Sequence, residues 1–369
     1  MKLGIDGREL SVGVRTGIGR YLVAVVREAR RQGIECLVYA DRELPETGQL
    51  GNATVRVIPW KPVLWWDQVS LPRRLAADGV SVFLSPYYKG PLRASCPVVL
   101  TIHDLLFINY MEKSRPMYDR LMTGLAGLYA SRAAAIITDS EHARRTIVSR
   151  LGLSADRITV IPLNVAPEFR PMPFDEAVAR RYGVRRPYVL AVGNFLPHKN
   201  LPRLVQAFAG LNETIRKDRL LVLAGNDAGG RDAVLAEAHR LGIEAQVVVT
   251  GVVADADLPM LYAGCEVFVM PSLDEGFGLP AAEAMACGAP VIASGRASLP
   301  EVVGKAGLLV DPARSEAITS ALASVLSDPK LQNDLRRRSL ERAENFRGDR
   351  PAQRVLDVLR AADCERTAS

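Results

Sequence analysis

The stretch SLDEGFGLPAAEAMACGAPVIAS, residues 272–294, decides the fold. Just upstream, Glu266-Val-Phe-Val-Met270 is a short apolar run that reads as a buried strand. Pro280 suits the first turn of a helix, where its missing N–H costs nothing, and Gly288 is placed to end that helix. Pro290-Val-Ile-Ala-Ser294 reads as the next strand, so the unit is strand, loop, helix, strand with a parallel crossover. In α/β sheets of this kind ligands sit outside the carboxyl ends of the strands, which is where the Asp274-Glu-Gly-Phe-Gly-Leu279 loop falls.

The chemistry of that loop is specific. Gly276 and Gly278 let backbone N–H groups approach an anion, and the start of the following helix adds donors and a positive dipole end. Glu275 and Glu283 flank these glycines. Like charges repel, so neither carboxylate suits a phosphate, whereas both suit hydroxyl groups. Taken singly, each glutamate reads as a solvated charge. Taken with the Gly-x-Gly loop and its place after a strand, they fit a ligand with phosphates in the middle and polyols at both ends, as in a nucleotide-sugar.

The 369 residues, 48% of them apolar, suffice for two to three domains with large cores. The most apolar stretch, Leu121 to Thr138, is broken by Arg132, and no membrane-spanning run is expected. Asp6 and Arg8 stand where a secretory leader needs an apolar core, so a cytoplasmic location is expected. Five scattered cysteines, without metal-ligand spacing, are expected to be reduced and structural. The net charge of +6 is uneven: residues 1–168 hold 22 Lys and Arg against 16 Asp and Glu, the remainder 25 against 25. No nucleic-acid motif accompanies that basic half; an anionic membrane surface or a phosphate-bearing acceptor fits it at least as well.

The two halves begin alike. Lys2-Leu-Gly-Ile-Asp6 leads through Gly17-Ile-Gly19 into a helix, and Tyr188-Val-Leu-Ala-Val192 leads through Gly193-Asn-Phe-Leu-Pro-His-Lys-Asn200 into another. Two doubly wound parallel sheets are expected, with residues 1–168 as one domain and 169–349 as the second. The proline-rich segment Ile161 to Pro173 is the linker, with a boundary near Phe169, and the tail at about 350–369 is expected to cross back to the first domain. Further strands are expected at 36–39, 80–84, 98–102, 135–138, 220–224, 246–250, 267–270 and 291–293.

His103-Asp104 follows a strand directly, where the imidazole can bond a sugar hydroxyl or meet developing charge. Lys199 lies between strand and helix, where a cation can meet a diphosphate. Asp255-Ala-Asp257 spells the acidic pair that many sugar transferases use to hold a metal, but Asp257 immediately precedes a helix and reads as its N-cap. No metal is therefore expected. Trp65-Trp66, beside Lys61, Arg73 and Arg74, reads as core packing for at least one indole, with a membrane patch as the alternative.

With these residues in view, the chain resembles the retaining nucleotide-sugar glycosyltransferases of the GT-B fold, family 4, and specifically the bacterial members that build O-antigens and exopolysaccharides. Glu275-Gly-Phe-Gly-Leu-Pro-Ala-Ala-Glu283 carries the likeness, with Pro271-Ser272 before it and Gly288 to Ala293 after it. Weaker matches are Arg15-Thr-Gly-Ile-Gly-Arg-Tyr21, Thr101-Ile-His-Asp104 and Gly193 to Asn200. The resemblance implies two Rossmann-like domains facing a cleft, the first taking a saccharide or lipid-linked acceptor and the second the donor. Glu275 would bond the transferred sugar, with backbone contacts from Phe277, Gly278 and Leu279, and Glu283 the ribose. Lys199 would hold the diphosphate, for which Gly17 and Gly19 would leave room, His103 would sit over the sugar, and the base would rest near Gly251. Asn194 stands where relatives carry a basic residue, with Arg203 as a substitute. The activity implied is retaining, metal-independent and cofactor-free hexosyl transfer, with mannose from GDP-mannose as the best choice of donor. The alternatives are a UDP-hexose donor, a nucleotide-sugar 2-epimerase of the same fold, and a non-catalytic binding module. Contact with the cytoplasmic membrane face is expected, and nucleic acid is not.

Overall fold

The structure is a computed structural model and describes residues 1–12, 16–45, 47–51, 53–59, 61–106 and 116–368. The chain divides into two compact units, Met1–Asn164 with Gly348–Ser369, and Val165–Arg347.

The first unit is built on seven parallel strands: β1 (Lys2–Asp6), β2 (Glu35–Ala40), β3 (Thr54–Val57), β4 (Val82–Ser85), β5 (Val98–Thr101), β6 (Ala135–Thr138) and β7 (Ile158–Val160). Their order is β3-β2-β1-β4-β5-β6-β7. The chain therefore builds outward from β1 on one side, returns, and continues from β4 on the other. The helix Arg350–Ala368 belongs to this unit: Arg354 donates to the Val160 carbonyl at 2.9 Å, and Asp363 accepts from Ser81 at 3.2 Å.

The second unit has six parallel strands: β8 (Tyr188–Val192), β9 (Leu220–Ala224), β10 (Val247–Gly251), β11 (Val267–Met270), β12 (Val291–Ser294) and β13 (Leu308–Val310). Their order is β10-β9-β8-β11-β12-β13, so the reversal lies between β8 and β11. Central strands such as β9, β11 and β12 are buried throughout, as expected where helices cover both faces of a parallel sheet. Val189, Leu221, Leu223 and Val269 pack with Leu204 and Phe208 of the Leu201–Ala209 helix in one core.

Three strands, β3, β7 and β13, stand outside the sequence expectation. Each is an outermost strand of three or four residues and partly exposed, too short for its side chains to stand out as the longer run that marks a buried parallel strand. The division between units falls just ahead of the expected Phe169. The Val165 N–H donates to the Phe346 carbonyl at 2.7 Å and Phe169 packs edge-on against Tyr262, which ties 165–169 to the second unit. Four cysteines, Cys36, Cys96, Cys265 and Cys287, are buried and Cys364 is exposed. Among the described residues no helix is long and apolar enough to cross a membrane.

Candidate functional site

In the second unit the site forms at the β8/β11 reversal. The 3₁₀ turn Pro197–Lys199 ends at Asn200, whose φ of 58° is left-handed, and the Asn200 amide donates to the carbonyls of Pro271 at 3.1 Å and Pro312 at 2.7 Å. The Leu273 N–H donates to the His198 carbonyl at 2.7 Å. The loops after β8 and β11 are thus clamped together, and Lys199 Nζ meets Glu275 Oε1 at 2.7 Å, with side chains 13% and 9% exposed. Sequence reasoning gave these two residues separate duties; the structure pairs them. His198 is buried beside them and its pKa is lowered, by burial first and by the Lys199 charge second.

The Glu275–Gly278 turn is held from outside: Ser298 Oγ lies 3.0 Å from the Glu275 carbonyl and 2.8 Å from that of Phe277. Gly278 has φ 97°, a conformation that favours glycine, and a Cβ there would also press on Leu299 Cδ2 at 2.5 Å. The helix then runs Leu279–Ala286 and Gly288 follows it at φ 77°. Glu283 is 3% exposed and its Oε2 accepts from the Tyr262 hydroxyl at 3.0 Å. On the β8/β9 side, a Cβ on Gly225 would lie 1.8 Å from the Gly193 carbonyl oxygen, and the Gly225 N–H donates to the Gly251 carbonyl at the end of β10. Asn194 is exposed in the loop after β8. Arg203 donates to the Ala313 carbonyl at 2.6 Å. Asp257 stands at the helix start but does not cap it, because its carboxylate accepts from Tyr182 at 2.7 Å and Arg181 at 3.3 Å. That is a correction to the N-cap expectation, and it leaves Asp257 committed to protein partners.

In the first unit, β5 ends just before His103 and β6 just before Asp139. Asp139 Oδ2 lies 2.7 Å from His103 Nδ1, and Tyr21 meets the imidazole edge-on with ring centroids 5.2 Å apart. The Tyr21 hydroxyl is itself fixed, 2.7 Å from Thr101 Oγ1. Nε2 is buried and has no hydrogen-bond partner among the described residues. Burial opposes a charged ring, but Asp139, by charge and hydrogen bond, outweighs it with help from Asp104 and Glu9, so the His103 pKa is raised. Gly17 and Gly19 form the first turn of the Gly17–Arg31 helix, and the Gly19 N–H is taken by the N-cap hydroxyl of Thr16 at 3.0 Å. Arg15, the first residue of that motif, lies outside the described residues. Trp66 is in the core at 1% exposure, while Trp65 is 54% exposed.

Two family models match the chain, glycosyl transferases group 1 over residues 178–342 and glycosyltransferase family 4 over residues 15–169. The chain is 34% identical over 387 residues to the D-inositol 3-phosphate glycosyltransferase of Rhodococcus jostii (strain RHA1), covering 94% of this chain and 84% of that one. The chain belongs to glycosyltransferase family 4. This family 4 glycosyltransferase is also 36% identical over 263 residues to the O-antigen chain mannosyltransferase B of Escherichia coli, covering 67% of this chain and 66% of the relative. It spans about a third of the serotype-specific mannosyltransferase WbdA of the same organism, 31% of its length. Anabaena HepE in complex with UDP and glucose has the same fold, with a TM-score of 0.79 over 98% of this chain and 100% of that one at 20% identity. The architecture is GT-B, two parallel-sheet α/β units.

Several residues that build the site were not legible as such. Tyr262 shows in the sequence only as part of an apolar helical face, and Asp139 and Ser298 carry no motif. Their partners lie on other helices and loops, 21 to 36 positions away, so no spacing along the chain announces them.

Proposed function

We propose that this family 4 glycosyltransferase moves a hexose, mannose from GDP-mannose by preference, onto a saccharide or lipid-linked saccharide during O-antigen or polysaccharide assembly, with retention at the anomeric carbon and without a metal. The observation that carries the reading is the Lys199–Glu275 pair at the β8/β11 reversal, which brings one cation and one carboxylate to the start of the Leu279–Ala286 helix. The similarity to O-antigen chain mannosyltransferase B supports mannose as the sugar.

In this reading Lys199 and the loop N–H groups face the donor diphosphate, Glu275 takes a hydroxyl of the transferred sugar, and the imidazole of His103 offers Nε2–H to a sugar hydroxyl. The bond from the anomeric carbon to the diphosphate oxygen breaks as the acceptor hydroxyl attacks from the same face, and the acceptor proton passes to the departing phosphate oxygen. Lys199 offsets the charge that grows on the leaving group. Trapping of a covalent glycosyl-enzyme would sink this route. Exposed Val63, Leu64 and Trp65 beside exposed Lys61 and Arg73 support contact with an anionic membrane face, and equal binding to anionic and neutral liposomes would count against it.

The deciding experiment is calorimetric titration of the full chain, without added metal, against GDP-mannose, UDP-glucose and UDP-N-acetylglucosamine, with Lys199→Met as control. Binding of GDP-mannose alone, weakened in the variant, supports the reading. UDP-glucose, of which HepE also forms a complex, is the competing donor. Turnover of a donor with no acceptor present would point to the 2-epimerase instead.

A further inference from the structure

The loop after β12 breaks two local preferences at neighbouring residues. Ala297 has φ 56°, a left-handed backbone that a residue with a Cβ adopts only at a cost. Ser298 stands at the N-cap of the Leu299–Val303 helix, and serine is among the best capping residues, yet its side chain makes no capping bond. Its hydroxyl, wholly buried, lies instead 3.0 Å from the Glu275 carbonyl and 2.8 Å from that of Phe277, 23 and 21 positions earlier in the chain. The loop leaves the sheet from a fixed point, because the Gly295 N–H donates to the Val310 carbonyl at 2.7 Å and the Arg296 N–H to Ser294 Oγ at 3.1 Å. The left-handed residue turns the chain between that anchor and Ser298.

Residues that go against a local preference persist only where their surroundings hold them, and such places cluster at functional sites. What Ser298 gains is control of two peptide planes. A trans peptide points its carbonyl and its N–H in opposite directions, so drawing the Glu275 and Phe277 carbonyls toward Ser298 turns the N–H groups of Gly276 and Gly278 to the far side. One hydroxyl hydrogen serves both carbonyls, which ties the two planes to each other as well as to the loop. Leu299 adds a steric limit, since a Cβ on Gly278 would stand 2.5 Å from its Cδ2. Two successive residues after β12 thus fix the course of the turn that carries Glu275, whose carboxylate meets Lys199 at 2.7 Å.

We propose that Ser298 is a positioning residue for donor binding, aiming the Glu275–Gly278 turn from the loop after β12, and that the left-handed backbone of Ala297 is the strain accepted to bring it there. The word donor rests on the function proposed above; the hold of Ser298 on the turn does not.

The test combines calorimetry of the full chain against GDP and UDP with hydrogen exchange of the protein alone. Whichever nucleotide the parent binds, Ser298→Ala should bind about tenfold more weakly, and Ser298→Cys, which keeps a weak donor, should fall between the two. Deuterium uptake in Ser298→Ala should rise in the peptides that cover 275–279, while β8 and β9 keep the parent's protection. Ser339→Ala deletes the hydroxyl of another wholly buried serine in the same unit and should change neither measurement. Ala297→Gly should raise the urea midpoint, because glycine takes a left-handed backbone without the Cβ penalty. Where transfer is measurable, Ser298→Ala should raise donor KM and leave acceptor KM unchanged. Parent-like affinity and uptake in Ser298→Ala, uptake raised across the whole second unit, or an unraised midpoint in Ala297→Gly would overturn the proposal. A parent that binds neither nucleotide would instead strike the donor reading, and the exchange result would then decide by itself whether Ser298 holds the turn.

Discussion

Lys199 Nζ and Glu275 Oε1 stand 2.7 Å apart, on loops separated by 76 positions in the chain, and each side chain is largely buried. A cation held in this way is aimed before any ligand arrives, and its pairing with Glu275 keeps its charge from being buried alone. Lys199→Met removes the cation proposed to meet leaving-group charge, and kcat should fall by roughly 10²–10³-fold, the range seen when one pre-aimed donor is deleted. Steady-state rates with saturating donor check this. A change confined to KM would mean that Lys199 only binds the ground state.

Asn200 aims that lysine. Asn200→Gly keeps the left-handed backbone but deletes the bonds to Pro271 and Pro312, whereas Asn200→Ala loses both the bonds and the backbone preference. Denaturant unfolding should rank the alanine variant below the glycine variant by about 1 kcal/mol, and both should bind donor more weakly than the parent.

Tyr262 supplies a hydroxyl to a carboxylate that is almost wholly inside the protein. Tyr262→Phe should cost about 1–3 kcal/mol of stability, since Glu283 loses a donor in a place water does not readily replace. Urea unfolding of the full chain measures it; an unchanged midpoint would show that Glu283 is sufficiently held by its other contacts.

Gly225 is a backbone contact more than a residue. A methyl group 1.8 Å from the Gly193 carbonyl oxygen, at φ 144°, forces the loops after β8 and β9 apart. Gly225→Ala should therefore lower stability by about 1–3 kcal/mol or more and weaken donor binding through displacement of the 193–199 loop. Thermal melts and calorimetry together separate the two effects.

His103 and Asp139 set a pH dependence of defined sign. The folded His103 pKa is raised above the ordinary value of about 6.5, so its contribution to stability is fully present below that pH and is lost as pH rises through the folded value. The urea midpoint should accordingly decline on going from pH 6 to pH 9, and Asp139→Asn should flatten that decline. A variant with the parent's pH profile would show that Asp139 does not hold the imidazolium.

Much of this protein is determined by local sequence. Apolar runs bounded by turn residues mark the central strands, because a parallel strand buried on both faces needs side chains of one character along its length. Gly278, Pro280 and Gly288 place the 279–286 helix almost to the residue, because their backbone constraints are intrinsic. The Glu275–Glu283 spacing and the family likeness follow from the same short stretch. Tertiary structure alone decided the rest. The outermost strands β3, β7 and β13 are strands because a neighbour offers them a ladder. Asp257 keeps the N-cap position, but its carboxylate bonds Tyr182, remote in sequence, instead of the helix N–H groups. Lys199 meets Glu275, and Asp139 meets His103, only after separate strands have been laid side by side, since a hydrogen bond between residues tens of positions apart leaves no trace in spacing and depends on the register of the whole sheet.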